Sequence, residues 1–257
     1  MSRGARVALL AAATWLAGCA TVPGQTTGAS ADGHVDPWEG FNRKVFVFNE
    51  AVDDAVLRPV AQVYRDVMPT PVRTGVGNFF GNLGDAWSAV NHFLQGKPQT
   101  GAPMLMRVAT NTVFGIYGLI DLATPMGLTR HSEDFGQTLA RWGADSGPYL
   151  VLPLLGPSTL RDTLALPLDR HAGSAERYHD AANPRALTPL QVVHTRAELL
   201  SSTRLAGQVS LDKYLFLRDA YLSRRQDQVF DGAPPLLPMD TGDEADAPPP
   251  ASAAPRR

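Results

Sequence analysis

The sequence holds a single cysteine, Cys19, in 257 residues. One thiol excludes an intrachain disulfide framework, and a thiol spent on modification excludes a cysteine nucleophile as well. Charge is scarce too, at 19% of residues, below the ~25% usual in globular domains. With no cluster of Lys and Arg, nucleic acid is excluded as a partner. No apolar run reaches the ~20 residues that a membrane-spanning helix needs. Sustained period-two alternation is missing, so no substantial sheet is expected. There is no His-Glu-x-x-His, no Gly-x-Ser-x-Gly, no phosphate-binding glycine loop and no dinucleotide fingerprint, which argues against an enzyme. The six histidines are scattered. His171, His179 and Asp180 fit no standard metal spacing, and neither metal nor cofactor is expected. Glu133 and Asp134 are adjacent, so their side chains diverge; they read as a helix start rather than an acid–base pair.

What is present begins at the N-terminus. Arg3 and Arg6 make a basic region, Val7 to Leu16 a short apolar one, and Leu16-Ala17-Gly18-Cys19 follows. This is the pattern of a lipoprotein signal peptide over residues 1–18, with Cys19 receiving diacylglycerol on its thiol and acylation on its new amine. Removing residues 1–18 moves the formal net charge from −2 to −4. Ala20, rather than Asp, after the cysteine fits outer-membrane sorting in a bacterium with two membranes. Residues 19–35, rich in Gly, Thr, Ala and Ser, read as a flexible tether. Residues 231–257 are Pro, Ala and acids and read as a disordered tail, leaving 36–230 as the ordered domain.

Within that domain the signals are helical and punctuated. Asp36-Pro37-Trp38-Glu39 reads as a capping box opening a helix with Phe41, Val45, Phe48 and Val52 along one face. Arg58-Pro59 is expected to break it, with a second helix running to Met68. A third, Val72 to Phe80, should end in the turn Gly81-Asn82-Leu83-Gly84, and Asp85 should cap a fourth. Ser158-Thr159 reads as a further helix cap, and helices are expected over roughly Leu187 to Ser202 and Ser210 to Phe230. In the last of these, Arg224 and Arg225 would complement the helix dipole.

Two stretches stand out. Met104 to Leu128 is strongly apolar, and on a helical net Arg107, Asn111, Gly115 and Gly118 share one narrow stripe. Such a helix has an oily broad side and a polar or small narrow side, which suits a membrane-leaflet exterior and a wet or close-packed interior. A buried core helix is the alternative. The second stretch, Trp142 to Pro157, carries Leu150, Val151, Leu152, Leu154 and Leu155 between Pro148, Pro153 and Pro157. The prolines exclude a continuous helix and a central strand. An irregular oily backbone is tolerated in lipid only beside protein or a wet cavity. Gly143, Gly147 and Gly156 supply hinges.

Taken in order, Asp36-Pro37-Trp38-Glu39-Gly40-Phe41-Asn42-Arg43, Phe48-Asn49, Arg58-Pro59-Val60-Ala61, Tyr64-Arg65-Asp66, Asn78-Phe79 with Gly81-Asn82-Leu83, Arg107 with Asn111-Thr112, Gly115, Gly118 and Asp121, Phe135 to Leu139, and Gly147-Pro148-Tyr149 through Arg161-Asp162 resemble the MlaA (VacJ) lipoproteins. The resemblance runs from Asp36 to about Asp227. It implies an all-α fold, a ring of short amphipathic helices embedded in the inner leaflet of the outer membrane around an amphipathic channel. It implies association with a trimeric porin, removal of misplaced phospholipid from the outer leaflet, and delivery to a soluble periplasmic lipid carrier. On that reading Arg107, Asn111, Gly115, Gly118 and Asp121 line the lipid path, while Gly143, Gly147, Pro148, Leu152, Pro153 and Gly156 belong to a gating loop. A lipid-modifying enzyme and a passive envelope scaffold are the competing readings.

Overall fold

A computed structural model describes residues 36–173, 184–203 and 211–234. The signal peptide, Cys19 and the tether, His179 and Asp180, and the tail from residue 235 lie outside the described residues. The elements, in order, are α1 (Glu39–Val52), a π-helical stretch (Asp53–Leu57), α2 (Arg58–Val67), α3 (Thr70–Leu94), α4 (Pro98–Val113), α5 (Phe135–Arg141), strands β1 (Tyr149–Leu152) and β2 (Gly156–Thr159), α6 (Leu160–Gly173), α7 (Pro184–Glu198) and α8 (Lys213–Val229). Among the described residues the expected all-helical class is observed, with one two-stranded sheet as its exception. No described helix is long and apolar enough to cross a membrane.

Several boundaries differ from expectation, each for a physical reason. Asp36 does not cap the first helix: Trp38 occupies that position without a side-chain bond, and the Asp36 carboxylate accepts from Asn42 and from the Tyr214 hydroxyl instead. Pro59 does not break the chain. The π-helical stretch before it widens the backbone by one residue per turn, absorbing the missing N–H and the ring that would clash with the preceding carbonyl; helix continues to Val67. The Gly81–Gly84 turn is also absent. α3 runs through it because Asn82, Asp85, Ser88, Asn91 and His92 form a buried polar face that needs a straight support. Gly81 is small for a reason: a Cβ there would stand 2.7 Å from the Arg130 guanidinium.

α4 packs back along α3 after the turn at Gly96, which takes φ +73°. Asp85 with Arg107, and Asn82 with Thr112, are the rungs between the two helices. Elsewhere apolar packing comes in small satellites rather than one core. Ala61, Ala197 and Leu200 join α2 to the α7 end. Phe80 and Leu83 on α3 meet Leu187 and Leu190 on α7. Tyr149, Val151 and Tyr214 join β1 to α1 and α8. The exterior is where the large apolar side chains lie: Phe41, Phe48, Val63, Met106, Phe114, Tyr117 and Leu164 are all more than half exposed.

Candidate functional site

The expected single helix from Met104 to Leu128 ends at Val113. Phe114 opens a loop in which Ile116, Tyr117 and Gly118 all take positive φ, at +53°, +55° and +89°. The loop reverses the chain and returns Asp121 to the face of α4 it left. Arg107 is 1% exposed. Its Nε donates to Asp85 at 2.9 Å, Nη2 to Asp121 at 2.6 Å, and Nη1 to the Leu128 carbonyl at 2.7 Å and to Thr124 at 2.9 Å. Asn111 donates to Asp121 at 3.1 Å and accepts the Leu122 and Ala123 N–H groups, each at 2.9 Å. Burial pushes the Asp121 carboxyl up, but bonds from the Thr124 hydroxyl and N–H, Arg107 and Asn111 outweigh it and hold Asp121 well below the usual carboxylate range.

The glycines complete this knot. The Gly118 N–H donates to the Asn111 carbonyl at 2.9 Å, and a Cβ at Gly118 would lie 2.7 Å from Asn82 Nδ2. A Cβ at Gly115 would collide with the Ile120 carbonyl oxygen. Arg107, Asn111, Gly115, Gly118 and Asp121 are therefore brought together, by a folded-back loop instead of a helical stripe. They form a polar cluster that joins α3, α4 and the loop after α4, and none of them lines the cavity described below.

The stretch Trp142 to Pro157 is more regular than the prolines suggested. Tyr149 to Leu152 pair with Gly156 to Thr159 as an antiparallel hairpin. Pro157 stands opposite Val151, whose N–H leaves the ladder to reach Asn42 Oδ1 at 2.8 Å. That pair exchanges no ladder bonds, so a residue without N–H fits there. Two asparagines one heptad apart on α1 clip the hairpin down. Asn42 also donates to the Tyr149 carbonyl at 3.1 Å, and Asn49 binds the Leu152 carbonyl at 2.9 Å and the Leu154 N–H at 2.7 Å. Gly143, Gly147 and Gly156 have φ of +94°, +67° and +84°. Pro148 and Leu152 bracket β1, and Pro153, Leu154 and Leu155 form the exposed tip.

That tip faces a cavity of about 940 Å³ walled by α1, the start of α2's π-helical lead, α6 and α7, at the upper end of the ~300–1,000 Å³ typical of ligand pockets. Val52, Leu57, Leu154, Leu155, Val192 and Leu199 give it apolar walls, and Arg170, His171, Thr188, Gln191, Thr195 and Arg196 polar ones. Asp53 is clasped by Arg196 at 2.5 and 2.8 Å and by Arg58 at 3.3 Å; the bond from Arg196 lowers its pKa against the effect of burial. Of these lining residues, sequence reasoning singled out Leu154 and Leu155 in the oily loop, but it did not bring them together with Arg170, Thr188, Gln191, Thr195 and Arg196, which come from helices far apart in the chain. Nor did it find a role for Asn42 and Asn49, although a buried Asn on an aromatic-rich face is a readable signal. No group of three or more metal-ligating side chains occurs among the described residues.

Fold and site together define a class, helical proteins that enclose an amphipathic cavity within an apolar surface. The model of the MlaA lipoprotein family matches residues 34–228, and the chain belongs to that family. It is 37% identical over 227 residues to the Escherichia coli (strain K12) protein named "Intermembrane phospholipid transport system lipoprotein MlaA", covering 84% of this chain and 85% of that one. The protein of the same name from Haemophilus influenzae is 33% identical over 202 residues, covering 77% and 80%. A solved chain from "Structural basis for maintenance of bacterial outer membrane lipid asymmetry" superposes with a TM-score of 0.66 at 37% identity, covering 78% of this chain and all of that one.

Proposed function

We propose that this protein is an outer-membrane lipoprotein, anchored through Cys19 and facing the periplasm, that removes misplaced phospholipid from the outer leaflet and hands it to a soluble periplasmic carrier. The observation that carries this reading is the cavity, with polar and apolar walls side by side, inside a body whose outer surface is apolar. A diacyl lipid crossing it keeps its head group against polar side chains and its tails against leucine and valine. Transport follows from shape and solvation, without nucleotide, metal or catalysis. Neighbouring subunits of a trimeric porin are the partners that would hold such a body at the right depth.

In this reading Arg107, Asn111, Gly115, Gly118 and Asp121 lock α4 and its loop onto α3, and the gate is the hairpin tip. Gly143 and Gly147 set the approach, Pro148 and Leu152 delimit the strand, and Pro153 to Gly156 move. Asn42 holds the strand's base and Asn49 the tip, so opening breaks the Asn49 bonds while the base stays in place. To test it, outer-leaflet phospholipid is measured in a deletion strain and lipid is extracted from purified protein. Deletion should raise outer-leaflet phospholipid, and the protein should carry lipid. A photo-crosslinker at Leu154 that reacts with α7 should leave folded protein unable to restore the deletion. Released fatty acid would favour a lipid-modifying enzyme, and unchanged outer-leaflet lipid a scaffold.

A further inference from the structure

Two opposite charges in the cavity wall are neighbours in the chain and do not pair. Asp169 and Arg170 both line the cavity, near the C-terminal end of α6. Arg170 makes no hydrogen bond or ion pair among the described residues. Asp169 is held through one oxygen: its Oδ1 accepts from Trp87 Nε1 at 2.7 Å and from the Phe135 N–H at 2.8 Å, both neutral donors. Trp87 on α3 and Phe135 at the start of α5 do not line the cavity. Those bonds therefore commit Oδ1 to α3 and α5, and Oδ2 is left without a partner among the described residues. Burial pushes the Asp169 carboxyl up and the two bonds offset this only in part, as expected of a carboxylate with no cation paired to it. Asp53, the cavity's other carboxylate, is by contrast neutralised by Arg196 and Arg58.

Resting on the transport reading, we propose that Asp169 and Arg170 are the head-group site of the cavity, Arg170 taking the phosphate and Asp169 Oδ2 a primary ammonium, and that the site favours ethanolamine-type zwitterionic lipids. A guanidinium pairs with a phosphodiester through two parallel N–H···O bonds. A primary ammonium brings three N–H donors, so it both neutralises Oδ2 and hydrogen-bonds to it. A glycerol head group satisfies Arg170 but leaves Oδ2 without its cation, and a quaternary ammonium has no N–H to donate. The competing role of Asp169 is to fix Trp87 and the start of α5, a task that Oδ1 performs alone.

The test uses the full chain, purified in detergent and exchanged at physiological ionic strength against vesicles of equal phosphatidylethanolamine and phosphatidylglycerol. Bound lipid is then extracted and quantified. The wild type should be enriched in phosphatidylethanolamine about three- to tenfold, the size expected for a charge-assisted pair that is partly solvated. Asp169→Asn keeps an Oδ1 for Trp87 and Phe135 and removes the charge, so it should return the ratio to that of the vesicles with unchanged circular dichroism. A second measurement leaves the protein intact: N-acetylated phosphatidylethanolamine, whose ammonium has become a neutral amide, should lose the enrichment in the wild type. Arg170→Gln should lower the lipid bound per protein, because it removes the partner of the phosphate. A wild-type ratio equal to the vesicles, enrichment that survives Asp169→Asn or N-acetylation, or full lipid loading of Arg170→Gln overturns the proposal and leaves the cavity reading standing. Absence of any bound lipid in the wild type overturns the cavity reading itself. Soluble phosphoethanolamine in excess should not displace the lipid; displacement would make this a site for the free zwitterion and overturn the lipid assignment.

Discussion

At the scale of the residue, the molecule depends on polar side chains held without water. Arg107 is the clearest case, because its removal takes the guanidinium from Asp121 and leaves the buried Asp85 with Arg130 as its one remaining cation partner. Arg107→Ala should lower stability by about 3–5 kcal/mol, the usual cost of breaking a buried pair, and denaturant unfolding in detergent would measure it. Asp121 links this cluster to pH. Its folded pKa is depressed, so its contribution is complete above the unfolded carboxylate value of ~3.9 and disappears as pH falls through the lower folded one. Asp121→Asn should therefore flatten the acid side of the stability profile; a profile as steep as wild type would assign the acid sensitivity elsewhere. Asp169 carries the opposite sign, because burial pushes its carboxyl up. At Gly118, φ of +89° and the nearness of Asn82 make any side chain costly. Gly118→Leu should cost at least the ~1–3 kcal/mol typical of overpacking, with reduced barrier function, read as sensitivity to detergent.

Between elements, single side chains serve as fasteners. Asn49 holds the hairpin tip to α1 by two bonds, and at about 1 kcal/mol each their loss should free the tip without unfolding the protein. Asn49→Ala should speed amide exchange at Leu154 and Leu155 while leaving the Val151 amide protected, since its N–H is held by Asn42 Oδ1. Equal acceleration along the hairpin would mean that it moves as one piece. Arg225 does comparable work for α8. It binds Asp134 ahead of α5 at 2.6 and 2.7 Å and Asp162 on α6 at 2.7 and 3.0 Å, which shows it to be a tertiary clasp and not a partner of its own helix's dipole. Asp134 also caps α5 through the Gln137 N–H at 2.8 Å, as its position in the sequence suggested.

For the whole molecule the telling feature is inversion. Asn42, Asn91, Arg107 and Thr138 are buried, while Phe114, Tyr117 and Leu164 are more than 70% exposed. A water-soluble monomer rarely carries so much exposed apolar surface, and the low charge content matches it. An unlipidated mature chain should still float with phospholipid vesicles, and Phe114→Asp together with Met106→Asp should weaken flotation with little effect on folding, since both positions are exposed. Flotation that depends wholly on the Cys19 lipid would place the apolar surface against protein instead of membrane.

The helical class was legible in the sequence because it follows from local rules: Pro and Gly punctuation, apolar spacing near 3.6 and the absence of alternation act within a few residues of where they are read. The family was legible too, in motifs retained in order. The chain alone also put Arg107, Asn111, Gly115 and Gly118 on one stripe, and the resemblance added Asp121. It gave the wrong geometry for that meeting, since a helical net has no means of showing that Gly118 at positive φ turns the chain back on itself. The continuity of α1 into α2, and of α3 through Gly81, was hidden for a similar reason. What keeps those helices going is a π-helical stretch and a polar face satisfied by residues from distant segments. The cavity belongs to tertiary structure alone: its walls come from α1, the hairpin, α6 and α7, and which cation remains unpaired depends on Arg196 reaching Asp53 across 143 residues.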